Sequence, residues 1–191
     1  MNSTRAPLRA DLRARRAALR PGERLTAADA VARHLAERPE LREPGYVGGY
    51  WAVNGELPLH AVQLRLAPGQ VWCLPVVAPD GGLRFAPWRA GDPLEPNRYG
   101  IPEPVAETTL APADLRLVLL PLLGYGRDGT RLGMGGGYYD RAFAFRRGQA
   151  GPPHLVGVGY ACQEVAGLAA QAWDVPLDAI ATEAGFLSFG R

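Results

Sequence analysis

The segment LRLVLLPLL, residues 115–123, is almost wholly apolar and runs directly into a glycine-rich stretch, GYGRDGTRLGMGGG, at residues 124–137. A strand that is apolar on both faces has to be covered on both faces, which is typical of a central strand in a parallel sheet. We therefore expect a layered fold with this strand near its middle. The glycine-rich stretch then forms a loop at the carboxyl end of that strand.

Helical and strand patterns alternate along the rest of the chain. Apolar spacing and capping residues predict helices at residues 4–19, 21–38, 56–66, 137–147 and 163–171. Short apolar runs predict strands at residues 46–53, 70–77, 83–88, 154–160, 179–182 and 186–189, while the proline-rich residues 89–113 are expected to be irregular. This alternation predicts an α/β fold, a three-layer α/β/α arrangement with a mostly parallel sheet, in one domain over residues 1–191.

The composition argues against several classes of protein. The sequence has no apolar run near the ~20 residues that a membrane-spanning helix needs, and a net charge of +2 is too small for a dedicated nucleic-acid binder. Cys73 and Cys162 lie far apart and outside any CxxC spacing, which favours reduced thiols over a disulfide or a zinc site. We expect a cytoplasmic monomer that binds neither membranes nor nucleic acids.

The chain contains no lysine, so all 21 of its basic residues are arginines. This excludes Schiff-base chemistry and the lysine-containing phosphate loop of many nucleotide-binding proteins. The negative charge of a bound phosphate would have to be met by arginine, by backbone N–H groups or by a metal ion.

The glycine-rich loop has three possible interpretations, and the sequence context argues against the first. GYGRDG, residues 124–129, matches a dinucleotide-binding pattern, but no helix opens directly after it and no acidic residue follows at the required distance. Three consecutive glycines, Gly135 to Gly137, would let backbone N–H groups approach an anion closely, with the start of the next helix beside them. The alternative is a glycine-rich turn that only reverses the chain.

Three residues after the glycines are candidates for a site. Asp140 could interact with the dipole of the predicted helix, or it could be a Mg²⁺ ligand beside bound phosphates. Tyr138 and Tyr139 would point about 100° apart on a helix, so that one packs inward and the other faces a ligand.

The stretch GTRLGMGGGYYDRAF, residues 129–143, closely resembles the signature of the 5-formyltetrahydrofolate cyclo-ligase family. Further segments resemble the same family, in family order, over roughly residues 5–185; they include RAPLRADLRARRAALRPGER (5–24), NGELPL (54–59), RYGIPEP (98–104) and WDVPLDAIATE (173–183). The resemblance implies an enzyme that uses ATP and Mg²⁺ to convert 5-formyltetrahydrofolate to 5,10-methenyltetrahydrofolate, with release of ADP and phosphate.

The resemblance also implies roles for particular residues. The catalytic residues are Arg9, Glu56 and Tyr138. The residues that bind ATP are Arg5, Arg9, Arg131, Gly133, Gly135, Gly136, Gly137, Tyr138 and Tyr139. The residues that bind the folate are Trp51, Glu56, Tyr99, Met134 and Tyr138. The ligands of Mg²⁺ are Asp140 and Asp174. Only the resemblance raises Arg5 and Arg9 above the neighbouring arginines Arg13, Arg15 and Arg16, which could all form a solvated basic face.

One position departs from the family pattern. Family members usually have Phe-Asp where this chain has Tyr125-Gly126, and Asp128 either substitutes for the missing carboxylate or belongs to an ordinary turn. Two other functions stay open from the sequence. One is a related enzyme that uses the same ATP-binding scaffold on another carboxamide; the other is a non-catalytic regulator that binds a nucleotide or RNA through its arginine-rich helix.

Overall fold

The computed structural model describes residues 5–190. The helices are α1 (Arg5–Ala17), α2 (Pro21–Ala36), α3 (His60–Gln63) and α4 (Tyr138–Ala142). The strands are β1 (Gly45–Gly48), β2 (Gln70–Val77), β3 (Leu83–Pro87), β4 (Leu94–Pro96), β5 (Pro102–Pro104), β6 (Leu115–Pro121), β7 (Gly124–Tyr125), β8 (Arg131–Leu132), β9 (His154–Val158), β10 (Ala179–Thr182) and β11 (Gly185–Ser188).

Five parallel strands form the centre of the main sheet, and an antiparallel strand closes each edge. The strand order is β11-β10-β9-β6-β1-β2-β3, with β3 and β11 as the antiparallel edges. The pairs β4-β5 and β7-β8 form two small sheets outside it. The predicted α/β fold with a mostly parallel sheet is confirmed. Within residues 5–190, no helix combines the length and the apolar character that crossing a membrane requires.

Strand β6 lies in the middle of the sheet and is covered on both faces, as its apolar run predicts. Successive side chains of a strand point to opposite faces. Leu117 and Leu119 belong to the core cluster that contains the buried face of α2, and Val118 and Leu120 belong to a second cluster that contains Phe143. The first face is therefore covered by α2 and α3. The second is covered by the short α4 region and the loop at residues 175–177.

Helix α1 packs away from the main sheet, against the β7-β8 hairpin. Leu12 is fully buried together with Leu123 and Leu132, and the mostly buried Leu168 belongs to the same cluster. The amino-terminal half of α1 is thereby held beside the loop that follows β6, and this placement brings its arginines to the site described below.

Three predicted helices differ from those in the structure. The helix expected at 56–66 is reduced to α3, because Pro58 disfavours a helical residue before it and Leu57 and Leu59 are both buried in the core. The helix expected at 137–147 ends at Ala142 and continues as a 3₁₀ turn, Ala144–Arg146.

The helix expected at 163–171 is wrong. A 3₁₀ turn, Ala161–Gln163, precedes an irregular segment in which Gly167 adopts a left-handed φ of +66° that an α-helix does not permit. Residues 89–113, expected to be irregular, instead contain the small β4-β5 sheet.

After β1 the chain continues to β2, which pairs with one side of β1. Strand β6 pairs with the other side of β1, and after β6 the chain continues in the opposite direction to β9. Neighbouring strands whose connections run in opposite directions leave a crevice at their carboxyl ends, where ligands bind in open α/β sheets. The fold therefore places its binding crevice beyond Gly48 of β1 and Pro121 of β6.

Gly49, directly after β1, is packed so closely that a side chain has no room there. A Cβ atom built at Gly49 would lie 2.0 Å from Cζ2 of the buried Trp72. We predict that Gly49→Ala lowers the free energy of unfolding by at least about 1–3 kcal/mol, the usual cost of overpacking a core, in urea denaturation. Gly22→Ala is the control, since nothing lies within 4 Å of a Cβ atom there; equal stability of the two variants would contradict the prediction.

Candidate active site

A cavity of about 760 Å³ opens at the carboxyl ends of β1 and β6. Every residue assigned to a site from the sequence lines it: Arg5, Arg9, Trp51, Glu56, Tyr99, Arg131, Gly133, Met134, Gly135, Gly136, Gly137, Tyr138, Tyr139, Asp140 and Asp174. The volume lies within the range of small-molecule sites. The structure therefore brings these residues together, while their individual roles stay predictions.

The glycine loop forms one wall of the cavity with its backbone. Gly135 and Gly137 have φ values of +108° and +67°, which side chains other than hydrogen rarely tolerate. Arg141 donates a hydrogen bond to the Gly136 carbonyl at 2.9 Å, and Arg9 donates its Nε–H to the Gly133 carbonyl at 3.0 Å. The following helix α4 has only five residues, so it aligns fewer peptide dipoles than the longer predicted helix.

Two arginines of α1 reach the cavity, and they differ in their partners. Arg5 makes a two-pronged ion pair with Asp174, at 2.6 and 3.3 Å, and donates to the Ala169 carbonyl at 2.6 Å. Within the described residues 5–190, Arg9 forms no ion pair. Burial, aided by repulsion from Arg5, lowers the pKa of Arg9. Arg9 is thus a positive charge on the cavity wall that an anionic ligand would neutralise.

Both carboxylates predicted to bind Mg²⁺ are held by arginines. Asp174 pairs with Arg5, and Asp140 accepts a hydrogen bond from the buried Arg131 at 2.7 Å and a longer one, 3.3 Å, from the Val175 N–H. Across the part of the chain that the structure describes, no group of three or more His, Cys, Asp and Glu side chains could hold a metal ion. Any metal bound here would need further ligands from a substrate or from water.

The adjacent tyrosines point in different directions, as predicted for a helix. Tyr139 stacks on Phe143 with ring centroids 6.3 Å apart and rings 14° from parallel, and burial raises its pKa. The Tyr138 hydroxyl instead meets the Tyr99 hydroxyl at 2.5 Å and accepts a hydrogen bond from Arg98 at 2.7 Å. Tyr138 and Tyr99 together link the β4-β5 loop to the glycine loop across the mouth of the cavity.

Glu56 is a third acidic residue that lines the cavity, besides Asp140 and Asp174. The turn before it has two residues with left-handed backbone angles, Asn54 and Gly55. Its Oε2 accepts a hydrogen bond from the Val53 N–H at 3.1 Å, and burial raises the pKa of the carboxyl above its ordinary value. Trp51 packs edge-on against Trp88, with centroids 6.0 Å apart, and supplies a partly exposed aromatic surface to the same cavity.

The structure explains the glycine at position 126. A Cβ atom there would lie 2.6 Å from Oδ1 of Asp128, so the Asp128 carboxylate already fills the adjacent space. The same carboxylate accepts hydrogen bonds from the N–H and the hydroxyl of Thr130, each at 2.9 Å. Neither Gly126 nor Asp128 lines the cavity. Asp128 therefore closes the β7-β8 turn.

Gln163 is a structural support that the sequence analysis missed. Its buried side-chain NH₂ group donates hydrogen bonds to the Leu122 and Leu123 carbonyls, at 3.0 and 2.8 Å. Its side-chain oxygen, Oε1, accepts one from the Tyr160 N–H at 2.9 Å. Leu122 and Leu123 line the cavity, so Gln163 fixes the wall that follows β6. A single buried glutamine has no signature in one sequence.

The ion pair between Arg5 and Asp174 joins α1 to the loop that carries Asp174, and its side chains are only 12% and 9% exposed. We predict that Asp174→Asn lowers the free energy of unfolding by roughly 1.5–3 kcal/mol, the typical value of a hydrogen bond to a charged group, in thermal denaturation. Asp11→Asn breaks the exposed ion pair with Arg15 on the same helix and should cost less than about 0.5 kcal/mol. A similar loss in both variants would show that the Asp174 pair contributes no more than a surface pair.

Known proteins are similar to this chain along most of its length. The 5-formyltetrahydrofolate cyclo-ligase family model matches residues 1–183. The 5-formyltetrahydrofolate cyclo-ligase of Haemophilus influenzae is 32% identical over 178 residues, covering 91% of this chain and 94% of the relative. That of Escherichia coli K12 is 32% identical over 177 residues, covering 90% and 96%.

Solved structures show the same fold. The NMR structure of a 5,10-methenyltetrahydrofolate synthetase from Aquifex aeolicus superposes with a TM-score of 0.82 at 28% identity, covering 97% of this chain and 94% of that one. The Mycoplasma pneumoniae 5,10-methenyltetrahydrofolate synthetase, at 22% identity, gives a TM-score of 0.71 and covers 94% and 99%. The protein described here therefore belongs to the 5-formyltetrahydrofolate cyclo-ligase family.

Proposed function

We propose that the protein is an ATP- and Mg²⁺-dependent cyclo-ligase that converts 5-formyltetrahydrofolate to 5,10-methenyltetrahydrofolate and releases ADP and phosphate. The observation that carries the proposal is that a glycine loop, arginines, Glu56 and aromatic side chains all line one shared cavity. The names of the relatives support the same substrate. We further propose that residues 1–191 act as one ATP- and folate-binding domain, in a cytoplasmic monomer.

The glycine loop and Arg9 would bind the triphosphate of ATP. Loop glycines allow backbone N–H groups to approach phosphate oxygens without intervening side chains. Arg9 has no carboxylate partner within residues 5–190, and its Nε–H bonds the Gly133 carbonyl. Its remaining guanidinium N–H groups can donate to a phosphate oxygen. Arg5 and Arg131 lie beside it, each paired with an aspartate.

Glu56 and its aromatic neighbours would hold the folate. A carboxylate accepts hydrogen bonds from the N–H groups of a pterin or from its formamide region, and Trp51 offers a flat surface for stacking. Tyr99, Tyr138 and Met134 line the same cavity nearer its mouth. The formyl group would then face the triphosphate.

The proposed reaction has two steps. The formyl oxygen attacks the γ-phosphorus of ATP, and ADP leaves. A second nitrogen of the folate then attacks the activated formyl carbon and closes the five-membered ring; phosphate leaves, and that nitrogen loses its proton to solvent. These steps require positioning and neutralisation of phosphate charge more than proton transfer by the protein, which is the general demand of phosphoryl transfer.

The donor set of the cavity fits a Mg²⁺ ion that arrives with the nucleotide. Mg²⁺ prefers oxygen ligands and is usually bound through one or two carboxylates together with substrate phosphates. Asp140 and Asp174 both line the cavity, and their arginine partners keep them oriented. These two residues would hold the ion, whose contribution when bound would be to offset charge on the phosphate oxygens.

The decisive test is an absorbance assay for the methenyl product, with 5-formyltetrahydrofolate, ATP and Mg²⁺. Product formation that depends on all three components is the expected result. ATP binding without product would favour a related enzyme for another carboxamide. Salt-sensitive RNA binding without turnover would instead favour a regulator.

Arg9 and Arg15 lie on the same helix but differ in exposure, and this difference gives a matched pair of variants. We predict that Arg9→Ala weakens ATP binding by about 10- to 100-fold, because it removes a charged donor from the cavity wall. Arg15, which pairs with Asp11 at the surface, should change affinity by less than about twofold when replaced by alanine. Calorimetry that finds equal losses would mean that α1 contributes only diffuse charge.

Asp140 gives a test of the metal assignment. We predict that Asp140→Asn raises the Mg²⁺ concentration for half-maximal turnover by about tenfold or more, since the variant lacks one negative ligand. Asp114→Asn, which changes an exposed aspartate in a 3₁₀ turn outside the cavity, is the control. An unchanged Mg²⁺ requirement in the Asp140 variant would remove Asp140 from the metal site.

A further inference from the structure

Arg24, a half-buried residue in the first turns of α2, contacts the turn that carries Glu56, and the proposed mechanism does not use it. The turn covers residues 53–56, and three of its four residues, all but Gly55, line the cavity. A Cβ atom built at Gly55 would have three atoms of one guanidinium as its nearest neighbours, Nη1, Cζ and Nη2 of Arg24, at 3.0, 3.4 and 3.5 Å. The guanidinium therefore lies directly against the one residue of the turn that does not face the cavity.

The turn ties the Glu56 carboxylate to its own backbone. Asn54 and Gly55 have φ values of 51° and 77°, as the two central residues of a type I′ turn require. The Glu56 N–H donates to the Val53 carbonyl at 3.0 Å, and the Val53 N–H donates to Oε2 of Glu56 at 3.1 Å. The position of the turn therefore sets the position of the carboxylate.

The chain after the turn is fixed by a separate contact. Leu57 is buried, and its carbonyl accepts a hydrogen bond from the Tyr50 hydroxyl at 2.7 Å. This bond holds the residue that follows Glu56. The contact with Arg24 holds the middle of the turn, at Gly55, where a shift would move Glu56 relative to the cavity.

Arg24 is itself held in place by the end of α1. Its Nε donates to the Leu19 carbonyl at 3.0 Å, and its Nη2 donates to the Arg16 and Ala17 carbonyls at 3.2 and 3.3 Å. Basic side chains commonly satisfy the last carbonyls of a helix in this way. Because a guanidinium is planar, these bonds through two nitrogens also fix the direction of the third, Nη1, which is the atom nearest to Gly55.

We infer that Arg24 is a positioning residue for Glu56: held by the end of α1, its guanidinium backs Gly55 and keeps the turn of residues 53–56 at the cavity wall. This inference rests on the proposed function, because it takes Glu56 as a residue that binds the folate. Arg24 does not line the cavity, so it acts through the turn and not on the substrate.

The first test measures two dissociation constants by calorimetry, that of 5-formyltetrahydrofolate and that of ATP, each ligand alone. Arg24→Gln removes the guanidinium behind the turn, so the Kd of 5-formyltetrahydrofolate should rise about tenfold or more, while that of ATP changes by less than about twofold. A role limited to capping α1 would instead loosen the helix that carries Arg5 and Arg9, and ATP binding would weaken at least as much. Equal changes for the two ligands, or no change in either, overturn the inference.

Arg42→Gln is the matched control. Arg42 also donates to a carbonyl at a helix end, that of Ala36 in α2, at 3.5 Å, and it does not line the cavity. Its replacement removes the same charge and a similar contact, and should leave both dissociation constants unchanged. A loss of 5-formyltetrahydrofolate affinity as large as that of Arg24→Gln would assign the effect to net charge or helix capping and overturn the inference.

The second test asks whether Arg24 acts through Glu56. In the Glu56→Ala background, Arg24→Gln should lower the affinity for 5-formyltetrahydrofolate by less than about twofold further, because the side chain that it positions is already gone. Two independent roles would instead multiply the losses of the single variants. Multiplied losses overturn the inference.

Gly55→Ala tests the same contact from the side of the turn and leaves the bonds of Arg24 to α1 in place, so it also guards against a failure of Arg24→Gln to fold. The new Cβ atom meets Nη1 at 3.0 Å, and affinity for 5-formyltetrahydrofolate should fall by about threefold or more. Where both variants fold, the fall should be smaller in the Arg24→Gln background. Unchanged affinity in Gly55→Ala, or a fall of equal size in both backgrounds, overturns the inference.

The wild-type protein separates this inference from the proposed function. A wild type that forms the methenyl product, while Arg24→Gln and Gly55→Ala bind 5-formyltetrahydrofolate as the wild type does, overturns the inference alone. A wild type that forms no product from 5-formyltetrahydrofolate, ATP and Mg²⁺ overturns the proposed function, whatever the dissociation constants of the variants show.

Discussion

The crevice at the carboxyl ends of β1 and β6 is the feature on which the rest of the structure depends. The connections leave these neighbouring strands in opposite directions, so no crossover covers the space between them. Two close contacts keep its walls in place: Gly49 packs against Trp72 on the β1 side, and Gln163 binds the Leu122 and Leu123 carbonyls on the β6 side. The site is therefore positioned by buried strand ends, while its chemistry comes from loops.

The sequence correctly predicts the elements whose position in the fold is set by burial of their apolar side chains. The doubly apolar run before the glycines correctly indicates a central parallel strand, and its loop lies at the expected end of the sheet. Local features decide the elements that were predicted wrongly. Pro58 shortens the helix expected at 56–66, and the left-handed φ of Gly167 is incompatible with the helix expected at 163–171. The apolar spacing of both segments nevertheless resembles that of a helix.

The residues of the candidate site were likewise predicted only in part. The predicted residues lie in one cavity because most belong to loops or helix ends at the same edge of the sheet. Residues that act from behind the wall could not be found in this way. Gln163 is an ordinary polar residue in the sequence, and only its burial and its hydrogen-bond partners distinguish it from a surface side chain.

The absence of lysine has a structural consequence at the cavity. Arg5 donates two hydrogen bonds to the Asp174 carboxylate and one to the Ala169 carbonyl. The single ammonium group of a lysine would reproduce this planar arrangement poorly. Arg131 is likewise paired with Asp140. These two arginines orient carboxylates, so Arg9 and the glycine backbone are the groups left to meet an incoming anion. Of the three arginines that line the cavity, Arg5 and Arg131 thus organise the protein, and Arg9 has no carboxylate partner within residues 5–190.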